Sequence, residues 1–150
     1  GAAAAADAAE CLAAGRLLDE RGLSERAEAC FRRVAGDRFA PHGVREQALV
    51  SLARLLRRQR RFGEAAEAWR AVVRESIGRS AAVREAVEAL AVHHEHRDRD
   101  LETARALALQ ALAAERDPRR RDQVAWRLAR LDRKLARSAG AGHRRLLDSP

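Results

Sequence analysis

Tyrosine and methionine are absent from this 150-residue chain, and aromatic residues together make up only 3% of it. A core with so few aromatics must be built from Leu, Val and Ala, which implies close contacts between regular elements. Only three Pro and nine Gly interrupt the chain. Long stretches are therefore free to be helical, and Ala, the best helix former, supplies most of the small side chains. No stretch alternates as a strand would. The two cysteines, Cys11 and Cys30, are too few for a disulfide framework and fit a reduced, cytoplasmic setting. No apolar run approaches the roughly 20 residues that cross a bilayer, so no membrane partner is expected. The first six residues lack both a basic segment and a Leu-rich stretch and do not read as a signal peptide. A leading Gly without any Met points to a processed chain or to a piece of something longer.

Lysine is nearly missing as well, Lys134 standing against 29 Arg in a net charge of +8. Arginine neutralises phosphate, which makes a nucleic-acid partner one reading. A composition rich in Ala and Arg and poor in Lys is equally what a GC-rich genome produces. The distribution says more than the total: from Arg116 to Pro150 eleven Arg or Lys face four Asp or Glu, so seven of the eight net charges fall there.

What the chain does contain is an internal repeat, the feature to seek first in a helical sequence. Ala27, Phe31 and Val34 recur 38 residues later as Ala65, Trp69 and Val72. Cys11, Ala14, Gly15 and Leu18 recur at the same step as Leu49, Leu52, Ala53 and Leu56, and again as Val87, Leu90, Ala91 and His94. Leu101, Ala104, Ala108 and Ala111 match Phe62, Ala65, Trp69 and Val72 after a one-residue insertion. Each first helix thus carries large-x-x-large-small-x-x-large, four side chains on one face, with a small member that permits close approach. The spacing predicts helices near 7–20, 24–35, 43–59, 63–75, 80–96 and 100–115, with Gly22, Ser24, Phe62, Gly63, Asp98 and Asp100 as turn or N-cap residues. A seventh, 120–137, carries Val124, Leu128, Leu131 and Leu135 on one stripe and reads as a cap over the last hairpin. The predicted fold is all-α: three hairpins, about 7–42, 43–79 and 80–118, with the cap completing one domain over 1–137. From 138 to 150 the pattern stops, and a flexible basic tail is expected.

The pattern Gly15, Leu18, Gly22, Ala27, Phe31, and its successor Leu49, Leu52, Ala53, Leu56, Phe62, Ala65, Trp69, resembles the tetratricopeptide repeat. The period is 38 where that family has about 34, the extra residues falling between hairpins. The resemblance implies a right-handed helical-hairpin solenoid that binds a protein or peptide partner along the groove lined by its first helices. A second resemblance lies in EAVEALAVHHEHRDRDLETAR, from Glu85 to Arg105, and WRLARLDRKLAR, from Trp126 to Arg137. These segments look like the repeat-containing C-terminal tail of bacterial ribonuclease H-like exonucleases. That implies an accessory half, since the family's metal-holding carboxylates have no counterpart here and no catalytic residue carries over.

Taking the repeat family's groove positions unit by unit gives Arg16 and Asp19, then Gln47, Val50, Arg54, Arg57 and Arg58, then Glu85, Glu88, Val92, Glu95 and His96. The cap adds Gln123, Trp126, Arg130, Arg133 and Lys134. Arg54 stands where the carboxylate-clamping members of the family need Asn, so a chaperone-tail clamp is not expected. A nucleic-acid contact would draw on Arg119, Arg120, Arg121, Arg130, Arg133 and Lys134, with Trp126 either stacking on a base or covering the core. Without a sequence-reading motif such binding would be nonspecific. His93, His94 and His96 invite a metal reading, but only His93 and His96 could face one ion and no cysteine lies near, so packing is the better account and no metal or other cofactor is expected. Cys11 and Cys30, on facing helices, are expected to pack. No nucleophile, base and orienter can be assembled, and an enzyme is not expected.

Overall fold

The computed structural model describes residues 1–76, 78 and 80–148. The expected end of the second hairpin at 79 and the last two residues of the expected tail lie outside the described residues. Among those described there is no strand, and seven helices follow one another: α1 (Ala2–Glu20), α2 (Ser24–Gly36), α3 (His42–Arg58), α4 (Phe62–Glu75), α5 (Ala81–His96), α6 (Leu101–Ala114) and α7 (Pro118–Leu147). The chain is all-α and packs as helical hairpins. It divides into two compact units, 1–86 and 87–150, so the boundary falls inside α5.

In the first unit α1 packs on α2, α3 on α4, and α3 also on both α1 and α2. The repeated stripes make the core: Ala27, Phe31 and Val34 on α2, Leu49, Leu52, Ala53 and Leu56 on α3, and Ala65, Trp69 and Val72 on α4 are all buried. Gly15 is buried on α1, and a Cβ there would stand 2.7 Å from Phe31 Cε1, so its missing side chain is what lets α1 lie against α2. Ala14, the counterpart of Leu52, is exposed.

The hairpin turns repeat in backbone detail. The Gly22 and Leu23 amides donate to the Asp19 and Leu18 carbonyls, and the Arg60 and Arg61 amides donate to Arg57 and Leu56 in the same way. Such a turn needs a left-handed residue just past the helix. Gly22 has φ +76° and Arg60 +61°. Arg99, at +54°, occupies the corresponding place one residue late, where the insertion lies. Ser24, expected as a cap, is instead the first residue of α2, whose N-cap position is Leu23. Phe62 and Gly63 likewise fall inside α4, whose N-cap position is Arg61. Asp100 does cap α6, accepting from the Thr103 amide at 3.1 Å.

In the second unit α6 packs on α7, with Ala104, Ala108 and Leu131 at the centre and Leu101 and Leu128 against them. Val87, Leu90 and Ala91 of α5 are also buried. Pro118 opens α7, where its fixed φ suits the first turn and its missing amide has no helical acceptor. The helix does not stop at 137. It runs through Gly140 and Gly142 to Leu147, so the described part of the expected tail is the last turns of α7. Two glycines cost about 1 kcal/mol each relative to Ala, but the Ala, Arg and Leu around them are good helix formers and no proline stops the run. At the other end α1 begins at Ala2, before any apolar periodicity, because an Ala run needs none.

Candidate functional site

The helices that open hairpins are joined by their charged rows. In the first unit Arg16 of α1 donates to Gln47 Oε1 of α3 at 3.1 Å. Arg58 of α3 donates to both carboxylate oxygens of Asp19 at 2.6 Å. Arg54 grips Glu85 at the start of α5 as a fork, Nε to Oε1 at 2.8 Å and Nη2 to Oε2 at 2.6 Å. Arg57 is exposed on the same helix and has no side-chain partner among the described residues. Val50 does not belong to this surface. It is only 9% exposed, because its position on α3 turns it into the packing and away from solvent.

The Arg54 and Arg58 side chains remain 56% and 57% exposed although paired. Exposed pairs contribute about 0–1 kcal/mol, so a ligand carboxylate could replace either partner at small cost.

In the second unit the charges gather on one buried group. The Glu95 side chain is fully buried, with Arg130 Nη2 at 2.9 Å from Oε2 and Lys134 Nζ at 2.7 Å from Oε1. Burial pushes its carboxyl up, but the hydrogen bonds from Lys134 and Arg130 and the charges of Arg130 and His96 outweigh it and hold the group below the usual carboxylate range. Glu95 is therefore a tie between α5 and α7, and its burial removes it from the accessible groove positions. His96 is exposed, 3.6 Å from the same carboxylate. Glu88 is 3.6 Å from Arg127, and Val92 is half-exposed.

Trp126 does not cover the core. The residue is 63% exposed, and the Arg130 guanidinium lies over its ring, 5.1 Å from the centroid. Of the other cations expected to meet a nucleic acid, Arg119 and Arg133 are exposed and their side chains are unpaired among the described residues. Arg120 is 3.8 Å from Asp117. Arg121 is committed elsewhere: Nη1 donates to the Leu112 and Glu115 carbonyls at 2.9 and 2.8 Å, satisfying the open C-terminal end of α6.

His93 and His94 both approach Asp98 Oδ2, at 3.3 and 3.4 Å, their rings edge to face. His93 and His96 are thus not turned to one point, and among the described residues no set of three or more His, Cys, Asp or Glu is arranged to hold a metal ion. Cys11 and Cys30 are free thiols, Cys11 Sγ lying 3.6 Å from the Cys30 carbonyl oxygen. Burial and the neighbouring Cys30 raise the Cys11 pKa, which keeps this thiol protonated.

Sequence reasoning missed a network on the second helices. Arg61 donates to Glu28 of α2 at 2.7 Å and to Glu64 of α4 at 2.6 Å, while Arg32 reaches both carboxylates. The steps Glu28 to Arg32 and Arg61 to Glu64 were the available signal. Arg105 to Asp132, at 2.6 Å between α6 and α7, had none. Among the described residues, no helix is long and apolar enough to cross a membrane. Comparison with protein-family models, curated proteins and solved structures gives no match.

Proposed function

We propose that the chain is a non-catalytic protein-interaction domain, a right-handed tetratricopeptide-like array of three hairpins with α7 as its cap. Its place is as an accessory segment of a larger protein such as a ribonuclease H-like exonuclease. The observation that carries the reading is the set of first-helix pairs, Arg16 with Gln47, Arg58 with Asp19 and Arg54 with Glu85. Pairs of this kind follow when the opening helices of successive hairpins lie side by side, and helical-repeat proteins offer that row to an extended ligand. Arg57, unpaired, and Arg54 and Arg58, cheaply released, favour a partner segment bearing carboxylates. The likeness of residues 85–105 and 126–137 to exonuclease tails supports the accessory placement.

The test is affinity capture by the full chain, with Arg54→Glu and Arg57→Glu combined and, as a control on the second-helix face, Arg26→Glu. Capture of the partner is expected to fall at least tenfold in the double variant and to be unchanged in the control. Equal capture by all three chains would sink the groove reading.

A further inference from the structure

Along α7 the residues Arg119, Gln123, Trp126, Arg130, Arg133 and Arg137 follow one another at steps of three and four, which places them on one face of the helix. The row points away from the stripe of Leu128 and Leu131 that packs on α6. Five of its members are cations or the indole, and no carboxylate stands in it. Asp122 lies at one edge, and Asp132, on another face, is occupied by Arg105. Successive members rise about 5 Å along the axis.

The centre of the row is built, not merely exposed. The buried Glu95 carboxylate fixes the Arg130 guanidinium by two hydrogen bonds, at 3.2 and 2.9 Å. Arg130 in turn lies over the Trp126 ring. The ring is thereby supported by a guanidinium while most of its surface stays in water. A flat π surface held in place, with cations before and after it, matches what a polynucleotide with unpaired bases requires: a stacking platform and charges that follow the backbone.

We propose that this face of α7 binds single-stranded nucleic acid without sequence preference, Trp126 stacking on a base while Arg119, Arg133 and Arg137 meet backbone phosphates. A duplex fits less well, because its base faces are already stacked on one another and closed to the indole. A membrane surface also fits less well. A helix lying on lipid presents an apolar face along its length, whereas this row is cationic and the exposed Leu146 and Leu147 stand apart at its far end. None of the groove residues of α1 and α3 takes part, although Gln123, Trp126, Arg130 and Arg133 are also the positions that the repeat resemblance assigns to the cap's end of the groove.

The experiment is fluorescence anisotropy of a labelled thymidine homopolymer titrated with the full chain, over a series of salt concentrations. Binding is expected at low salt, with log K falling against log salt at a slope of about −2, from roughly −0.7 for each of three phosphates. Trp126→Ala is expected to weaken binding about tenfold and Trp126→Phe to restore most of it. Arg119→Glu with Arg133→Glu should lower the steepness of the salt slope by about 1.4. A duplex of the same length should bind several-fold more weakly. These side chains are exposed, so an unchanged circular-dichroism melt verifies the fold of each variant. A flat titration at low salt, an affinity unaffected by Trp126→Ala, or equal affinity for duplex or for phosphatidylserine vesicles would overturn the proposal.

Discussion

At Gly15 two effects of opposite sign meet. An alanine there would gain up to about 1 kcal/mol of helix propensity. Its Cβ, however, would stand 2.7 Å from Phe31 Cε1 and 2.9 Å from Cys30 Cβ, on a residue pair held between two helices. Forcing atoms into a filled core costs about 1–3 kcal/mol, so the clash wins. Gly15→Ala is expected to lower the unfolding free energy by about 1 kcal/mol, read as a lower midpoint in urea at unchanged m-value. A small residue at 15 was legible, since the repeat puts Ala53 and Ala91 at the same place. That Phe31 fills the space was not, because only the helix crossing sets that distance. The left-handed backbone of Arg60 and Arg99 was equally hidden: arginine carries no local signal for positive φ, and the turn imposes it.

At the level of elements, burial separates the two halves of α7. Up to Leu135 it carries a stripe that packs, whereas among residues 138–148 only Gly140 is other than exposed. A helical stretch that buries almost none of its surface rests mainly on propensity and contributes little. Removing residues 138–150 is therefore expected to change the stability of the remainder by less than about 0.5 kcal/mol, measured as the thermal midpoint of the shortened chain. A larger loss would mean that these turns pack on something. The positions of the helices were largely legible, because each amphipathic stripe is a local, 3.6-residue signal. The two ends extend beyond the stripes for a related reason. Ala2 to Ala6 and Ala139 to Leu147 are helical without being periodic, so no amphipathic stripe marks them.

Across the molecule, the carboxyl groups of Glu28, Glu64, Glu95 and Asp100, among the described residues, sit below their ordinary values. Arg61 lowers Glu28 and Glu64 by hydrogen bonding, the Thr103 hydroxyl and amide lower Asp100, and Lys134 with Arg130 overcomes the burial of Glu95. A carboxyl depressed on folding stabilises the native state above its unfolded pKa and loses that contribution as pH falls through the folded value. The ordinary values are 4.5 for Glu and 3.8 for Asp. Tm is thus expected to be level above about pH 5 and to fall progressively below it. Glu95→Gln should lower the unfolding free energy above pH 5 by about 2 kcal/mol and reduce the acid-induced fall. The loss is smaller than the 3–5 kcal/mol typical of a fully buried broken pair, because Arg130 and Lys134 keep 28% and 34% of their surface in water. A Tm that rose on acidification would contradict this account. The sequence by itself determined that the chain is helical, where most helices lie, and that positive charge concentrates toward its end, since these follow from neighbouring residues and simple counting. Only the tertiary structure decided which charges are spent and which are offered. Arg54 meets Glu85, Arg58 meets Asp19 and Lys134 meets Glu95 across 31 to 39 residues of chain, and packing, not local preference, brings such partners within a hydrogen bond's reach.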